Sequence, residues 1–447
     1  MSEYTVAKFG GSSMAQPEQV AAIINEHPEQ RIVVTSAPGG LESGDTKMTD
    51  LLINYAKEDD NSVRTGLRDN ILDRFKRVLS YLSPDEATLL LNEVRQDLLN
   101  ERVTDQFLVS RGEYYSARGL AQHLGAQFMD AEMFYFGPNG FDRQASDELI
   151  KPLGQLSLNS RIIIPGFYGL DWLDNTALFN RGGSDRSGAI LASSLGMTYE
   201  NWTDQDGIYT ADPKIVPNAR VVPVLSREEV REGAHGGANV LTGDTIRDLN
   251  GSAVTTVVKN TFNPEAPGTQ VEPARRAGQG ESIVALSGRD DLTEITIRDM
   301  GMADTPGYVA ELMRYMSELG LSFQHLPAAQ DAFSITIAAE SDKQHEAVQQ
   351  FADFAQHNLI TTQGSVEVSS KGVVYAVGEG LRDPFRRSLA QIRVLGEVVA
   401  RNLSIEDTVT NRNSPSLAFL VQAENVKPIL QAIHWREFER NQQSSTK

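Results

Sequence analysis

Two glycine-paired turns, one near each end of the first 190 residues, constrain this chain more than any other feature. Lys8-Phe9-Gly10-Gly11-Ser12-Ser13 follows the apolar run Tyr4-Thr5-Val6-Ala7. Asn180-Arg181-Gly182-Gly183-Ser184-Asp185 precedes the helix-patterned stretch from Gly188 to Leu195. Each reads as strand, tight turn and helix start. Adjacent glycines let backbone approach a ligand, and the first N–H groups of a helix face an anion. Lys8 adds a cation at the first turn, and Arg181 and Asp185 bracket the second. The pattern predicts two small anions held face to face by one domain.

That domain reads as α/β. Apolar runs at 4–7, 31–36, 161–165, 178–180, 199–203 and 254–259 alternate with helical stretches, which predicts a mainly parallel sheet between helical layers. A polar, helix-rich segment over 62–118 reads as an insertion, a lid over one of the ligands. Turn formers and polar residues over 260–280 place a boundary near 270–288. Beyond it, strand–helix–strand–strand–helix is read twice: 292–298, 305–319, 321–326, 333–338 and 342–357, then 373–377, 384–402, 403–409, 416–421 and 423–438. The expected division is a domain over 1–285 and two ferredoxin-like βαββαβ modules over 288–370 and 371–447.

Composition narrows the chemistry. The 447 residues include no cysteine, which excludes disulfides, thiolate metal sites and cysteine nucleophiles. A formal charge of −19 disfavours nucleic acid and anionic membranes as partners, because both need basic patches. No run reaches the ~20 apolar residues of a membrane span. Met1-Ser-Glu-Tyr-Thr-Val lacks a basic start and apolar core, so the expected location is the cytoplasm. A Walker A loop, the protein-kinase signatures and a paired-histidine metal spacing are all missing. Gly378-Glu-Gly380 continues to Asp383 where a dinucleotide fingerprint needs glycine, and reads as a turn. His235 and His325 read as structural or surface residues.

Lys8-Phe-Gly-Gly-Ser-Ser resembles the N-terminal signature of aspartate kinases within the amino-acid kinase superfamily. Similar segments follow in family order: Thr35-Ser-Ala-Pro-Gly39, Asp45-Thr-Lys-Met-Thr-Asp-Leu-Leu52, Ser110-Arg-Gly-Glu113, Pro165-Gly-Phe-Tyr-Gly169, Arg181-Gly-Gly-Ser-Asp185, Trp202-Thr-Asp-Gln-Asp-Gly-Ile-Tyr-Thr-Ala-Asp-Pro213 and Asn260-Thr-Phe-Asn-Pro264. The C-terminal pair resembles ACT domains.

The resemblance implies transfer of phosphate from ATP, with Mg²⁺ on its phosphates, to the side-chain carboxylate of L-aspartate. That opens lysine, threonine and methionine synthesis. The acceptor is already ionised at neutral pH, so no general base is required. Lys8 and Asp185 are the implied catalytic pair, with Asp185 organising Lys8. Gly10, Gly11 and Ser12 would donate to phosphate. Thr203, Asp204, Tyr209, Asp212 and Lys214 would complete the nucleotide site. Arg181 would fork the α-carboxylate and Glu113 would take the ammonium, with Ser36, Thr46, Gly182, Gly183 and Ser184 around the acceptor. An effector, lysine before threonine, is expected near Asp304, Pro306, Gly307, Tyr308, Phe323 and His325. Homodimers or dimers of dimers are expected. The chain departs from the family at Gly40, at Asn239 and Thr242, and over Thr410–Pro415. The alternatives are a kinase for another acidic amino acid and an inactive amino-acid sensor.

Overall fold

The computed structural model describes residues 4–42, 44–180, 182–238, 240–274, 281–339, 341–359, 361–409 and 413–440. They form two compact units. One holds residues up to Ile208 together with Pro223–Arg227 and Val240–Ala274, and the other holds Tyr209–Val222, 228–238 and 281–440.

The first unit is built on an eight-stranded sheet in the order Val224–Ser226, Thr269–Glu272, Thr256–Asn260, Thr198–Thr203, Thr5–Phe9, Gln30–Thr35, Ile162–Pro165, Gln127–Phe128. All neighbours run parallel except Thr256–Asn260 against Thr269–Glu272. The central strands are buried along their length, as strands covered on both faces must be. On one face Ala7, Phe9, Val33, Ile163 and Trp202 pack under the helices Pro17–Glu26 and Asp105–Leu124. On the other lies the helix Gly183–Leu195. It comes so close that a Cβ on Gly188 would sit 2.6 Å from the Tyr199 ring and 3.1 Å from Lys8 Cβ. The three-layer α/β/α expectation therefore holds.

The 178–180 run does not join this sheet. The strand there is Thr176–Leu178, in a separate four-stranded sheet with Gly140–Phe141, Tyr135–Gly137 and Tyr168–Asp171. The helical insertion shares a core with the helix Met48–Lys57, where Leu52 packs with Ile71, Phe75, Leu90, Val94 and Tyr115. Its helix Pro84–Leu99 starts on a reciprocal cap between Ser83 and Glu86.

In the second unit five antiparallel strands form one sheet, ordered Ala332–Ala338, Ala285–Arg298, Ser365–Val377, Ser416–Gln422, Asp407–Val409. Helices Tyr308–Glu318 and Asp342–His357 share one core with this sheet, and Pro384–Ala400 and Val426–His434 share another. The duplicated pattern is thus present, with differences. The expected boundaries at 285–288 and 370–371 fall inside continuous strands, Ala285–Arg298 and Ser365–Val377. Residues 209–222 and 228–238 also belong to this unit rather than to the first. The strand expected over 321–326 is reduced to isolated bridges, His325 to Thr336 and Ala328 to Phe333. Pro327 between them has no N–H to extend the ladder.

Candidate active site

The parallel strands end where the glycine-rich turns begin. Lys8, the penultimate residue of its strand, is only 6% exposed. Its Nζ lies 2.7 Å from Asp185 Oδ1 and donates to Asn201 Oδ1 at 3.4 Å. Asp185 occupies the first turn of Gly183–Leu195, and Asn201 is the register partner of Lys8 on the adjacent strand. The expected Lys8–Asp185 pairing is formed. Asn201 was not foreseen, although it immediately precedes the Trp202-Thr203-Asp204 motif.

The first turn departs from expectation in one respect. The Gly10 N–H donates to Trp202 O at 3.0 Å, so it is engaged within the sheet and cannot serve a ligand at the same time. Gly11 and half-buried Ser12 open a helix of a single turn, Gly11–Met14. Ser13 is drawn inward to Thr261, Oγ to Oγ1 2.7 Å.

Residues 35–39 wedge between this turn and the insertion. Ser36 N–H donates to Phe9 O at 3.1 Å, and Gly39 N–H donates to Gly11 O at 2.7 Å. The Ala37 carbonyl oxygen lies 3.1 Å from where a Gly11 Cβ would stand, while a Cβ on Gly112 would meet Ala37 Cβ at 2.6 Å. Both glycines are there for close approach. Beside them Glu113 is 4% exposed, and its Oε2 has no hydrogen-bond partner. Burial pushes this carboxyl up to about 8; the Ala37 N–H, its own N–H and the Arg111 charge oppose that only in part. Thr46 is exposed, and its carbonyl accepts from Arg74 Nη1 at 3.2 Å. Nothing in the sequence around Arg74 marks it for this contact.

Arg181 lies outside the described residues, as does Asn239. Gly182, in the left-handed region at φ +78°, starts Gly183–Leu195. A side chain at Gly183 would clash with Phe167 and Phe179, at 2.7 and 2.8 Å, and one at Gly166 with Ser184 at 2.8 Å. Phe167 takes φ +76°, costly for a bulky residue, and its N–H donates to Ser187 Oγ at 3.1 Å. The Pro165–Gly169 turn is thereby locked onto the helix start. Thr242 caps the helix Gly243–Leu249, and its Cγ2 stands 3.0 Å from the Gly182 Cβ position.

Thr203 and Asp204 leave the same end of the sheet, Thr203 Oγ1 donating to Asp204 at 3.2 Å. Tyr209, Asp212 and Lys214 belong instead to the second unit. Asp212 there closes its own turn by accepting from Lys214 N–H at 2.9 Å. Also in that unit, Asp304, Pro306 and Gly307 are exposed ahead of the helix Tyr308–Glu318, and Tyr308 is buried with its hydroxyl unpartnered. Phe323 borders a cavity of about 600 Å³ with Met313, Met316, Gly320 and Leu321. His325 is buried against Tyr375, Nε2 to hydroxyl 2.9 Å, and burial favours its neutral form. A separate 420 Å³ cavity in the first unit, lined by Glu93, Asp97, Arg111, Tyr114 and Tyr168 among others, shares none of the candidate residues.

The set at the sheet end thus offers a paired, buried ammonium, a buried carboxyl with one oxygen unpartnered and two glycine turns, the equipment for holding two charged small molecules. The amino acid kinase family matches residues 3–260. Aspartokinase 3 of Bacillus subtilis is 27% identical over 458 positions, covering 97% of this chain and 98% of that protein. The aspartate kinase of Clostridium acetobutylicum superposes with a TM-score of 0.85 at 27% identity, over 97% of this chain and 100% of that one. Aspartokinase III of E. coli, solved in complex with lysine and aspartate, gives 0.77 at 25% identity over 98% and 100%. A match spanning more than half of the residues, over the unit that carries Lys8, Glu113 and Asp185, places this chain in the amino acid kinase family.

Proposed function

We propose that the chain is an aspartate kinase, transferring the γ-phosphoryl group of ATP to the side-chain carboxylate of L-aspartate. The observation that carries this reading is Glu113, a buried carboxyl with a free oxygen in the unit that holds the Lys8–Asp185 pair. A free α-ammonium donates to that oxygen with a full positive charge, whereas the single amide N–H of an N-acylated acceptor donates without one, and charge-assisted hydrogen bonds are roughly twice as strong as neutral ones.

The aspartate oxygen forms the new bond to phosphorus as the bond to the ADP oxygen breaks, and no proton needs to be abstracted. Catalysis then rests on alignment and charge. Lys8 meets the charge that builds on the transferring group, and Asp185 and Asn201 hold its Nζ in place. Gly11 and Ser12 face the phosphates, with Mg²⁺ borne on the nucleotide. Arg181 forks the α-carboxylate, a task for which a guanidinium suits better than an ammonium. Ser36 and Thr46 border the acceptor. Thr203 and Asp204, which leave the sheet just past Asn201, contact the nucleotide.

For the second unit we propose effector binding at the cavity bordered by Phe323, with lysine as the first ligand to test, and assembly at least as a homodimer. A coupled ADP-release assay over aspartate, glutamate and N-acetylglutamate tests the acceptor assignment. Turnover with aspartate alone is expected, and equal turnover with N-acetylglutamate would remove the role given to Glu113.

A further inference from the structure

Among the described residues between Gly39 and Thr46 the one large apolar side chain is the half-buried Leu41, and Gly39 abuts the first glycine turn. The order of this loop comes from two charged groups. Asp45 Oδ2 accepts from the N–H groups of Leu41 and Glu42, both at 3.1 Å, and so closes the loop on itself. The closure explains Gly40: a Cβ there would lie 2.9 Å from Asp45 Cβ. Arg74 then reaches in from the helix Asn61–Val78. Its Nη1 donates to Gly39 O at 3.3 Å and Thr46 O at 3.2 Å, and its Nη2 stands 3.2 Å from Asp45 Oδ2. The Arg74 side chain is 8% exposed, between the insertion core and the loop. One planar fork thus satisfies two carbonyls and a carboxylate, which a single ammonium cannot do. Gly39, gripped on one side by Arg74, donates on the other to Gly11 O at 2.7 Å.

We infer that Arg74 is a positioning residue for the acceptor side of the active site, a clasp from the helical insertion that fixes Thr46 and Gly39 against the phosphate turn. This rests on the function proposed above. Without the fork, Asp45 keeps a half-buried charge with no cation, two carbonyls lose their donor and the loop gains freedom. The acceptor then pays in orientation, where displacements of about 1 Å can cost up to about a hundredfold in rate. The nucleotide, held from the other side of Gly11, is affected much less.

The test uses the full-length chain. Arg74→Ala should raise the KM for aspartate roughly tenfold while the KM for ATP stays within about twofold. Arg74→Lys should recover only part of the loss, and added methylguanidine should restore part of it to the alanine variant. Asp45→Asn, facing solvent more than Arg74 does, should shift the same constant in the same direction and serves if Arg74→Ala does not fold. Hydrogen exchange supplies a readout independent of turnover: amides of Gly39, Leu41, Glu42 and Asp45 should exchange faster in both variants, with wild-type rates in the parallel sheet. If the chain does not phosphorylate aspartate at all, the proposed function fails and exchange still decides the clasp. Unchanged exchange in the loop, or equal shifts in both KM values with a general loss of protection, would overturn it.

Discussion

Lys8 is the residue on which the account turns. Its ammonium is buried, paired to Asp185 and steered by Asn201, and is therefore arranged before any substrate arrives. Preorganised charge of this kind acts on the transition state more than on the ground state. Lys8→Ala should lower kcat about 10²–10³-fold, with a much smaller change in the dissociation constant of ATP measured by calorimetry. Glu113 gives a second prediction at this scale, through pH. Its carboxyl is raised to about 8 by burial, so the folded, ligand-free chain keeps a proton there that an unfolded chain releases near the ordinary carboxylate range. Stability from this group therefore falls as pH rises from about 5 to 8, since the native state binds the extra proton. Aspartate affinity should move the opposite way, because an ammonium needs the ionised form: Kd should fall between pH 6 and 8. Glu113→Gln should weaken binding and flatten that slope. A slope retained in Glu113→Gln would assign the titration to another group.

Among the elements, the helix Gly183–Leu195 links packing to chemistry. Arg186 in its first half forms a buried pair with Asp248, Nε to Oδ2 2.7 Å, while Gly188 lets the helix settle onto Lys8 and Tyr199. Gly188→Ala should destabilise the chain by about 1–3 kcal/mol in chemical denaturation, the usual cost of overpacking, and should lower kcat by displacing Lys8. Much of this was legible in sequence. The two glycine pairs and the apolar runs pointed to most of the strands and to both turns, because those signals are local, whereas the Lys8–Asp185 pairing, across 177 residues, came only from the family resemblance. What escaped was non-local. Arg74 looks like any polar residue of an amphipathic helix until the fold brings it to Thr46. Gly10 looks like a phosphate donor until strand pairing commits its N–H to Trp202. The 178–180 run was apolar enough for the main sheet, but its pairing with Tyr168–Asp171 took it elsewhere.

For the whole molecule, sequence reading foresaw the duplicated pattern but not its fusion into one five-stranded sheet through the long strand Ser365–Val377. Strand boundaries of that kind depend on which partner continues the ladder, which no local pattern encodes. Nor did it foresee that residues 209–222 and 228–238 would fold with the C-terminal unit. With that unit read as a sensor, lysine should bind the full chain with measurable heat at millimolar concentration or below, and should change aspartate turnover. An effector alters activity only through different affinities for two states, so heat without any kinetic effect would mark binding without regulation. The central claim, however, concerns the product. An acyl phosphate is trapped by hydroxylamine, so incubation of the chain with aspartate, ATP and Mg²⁺ followed by mass spectrometry reads it directly. The account predicts aspartyl hydroxamate in amounts matching ADP, strongly reduced in Lys8→Ala; ADP release with no hydroxamate would contradict it.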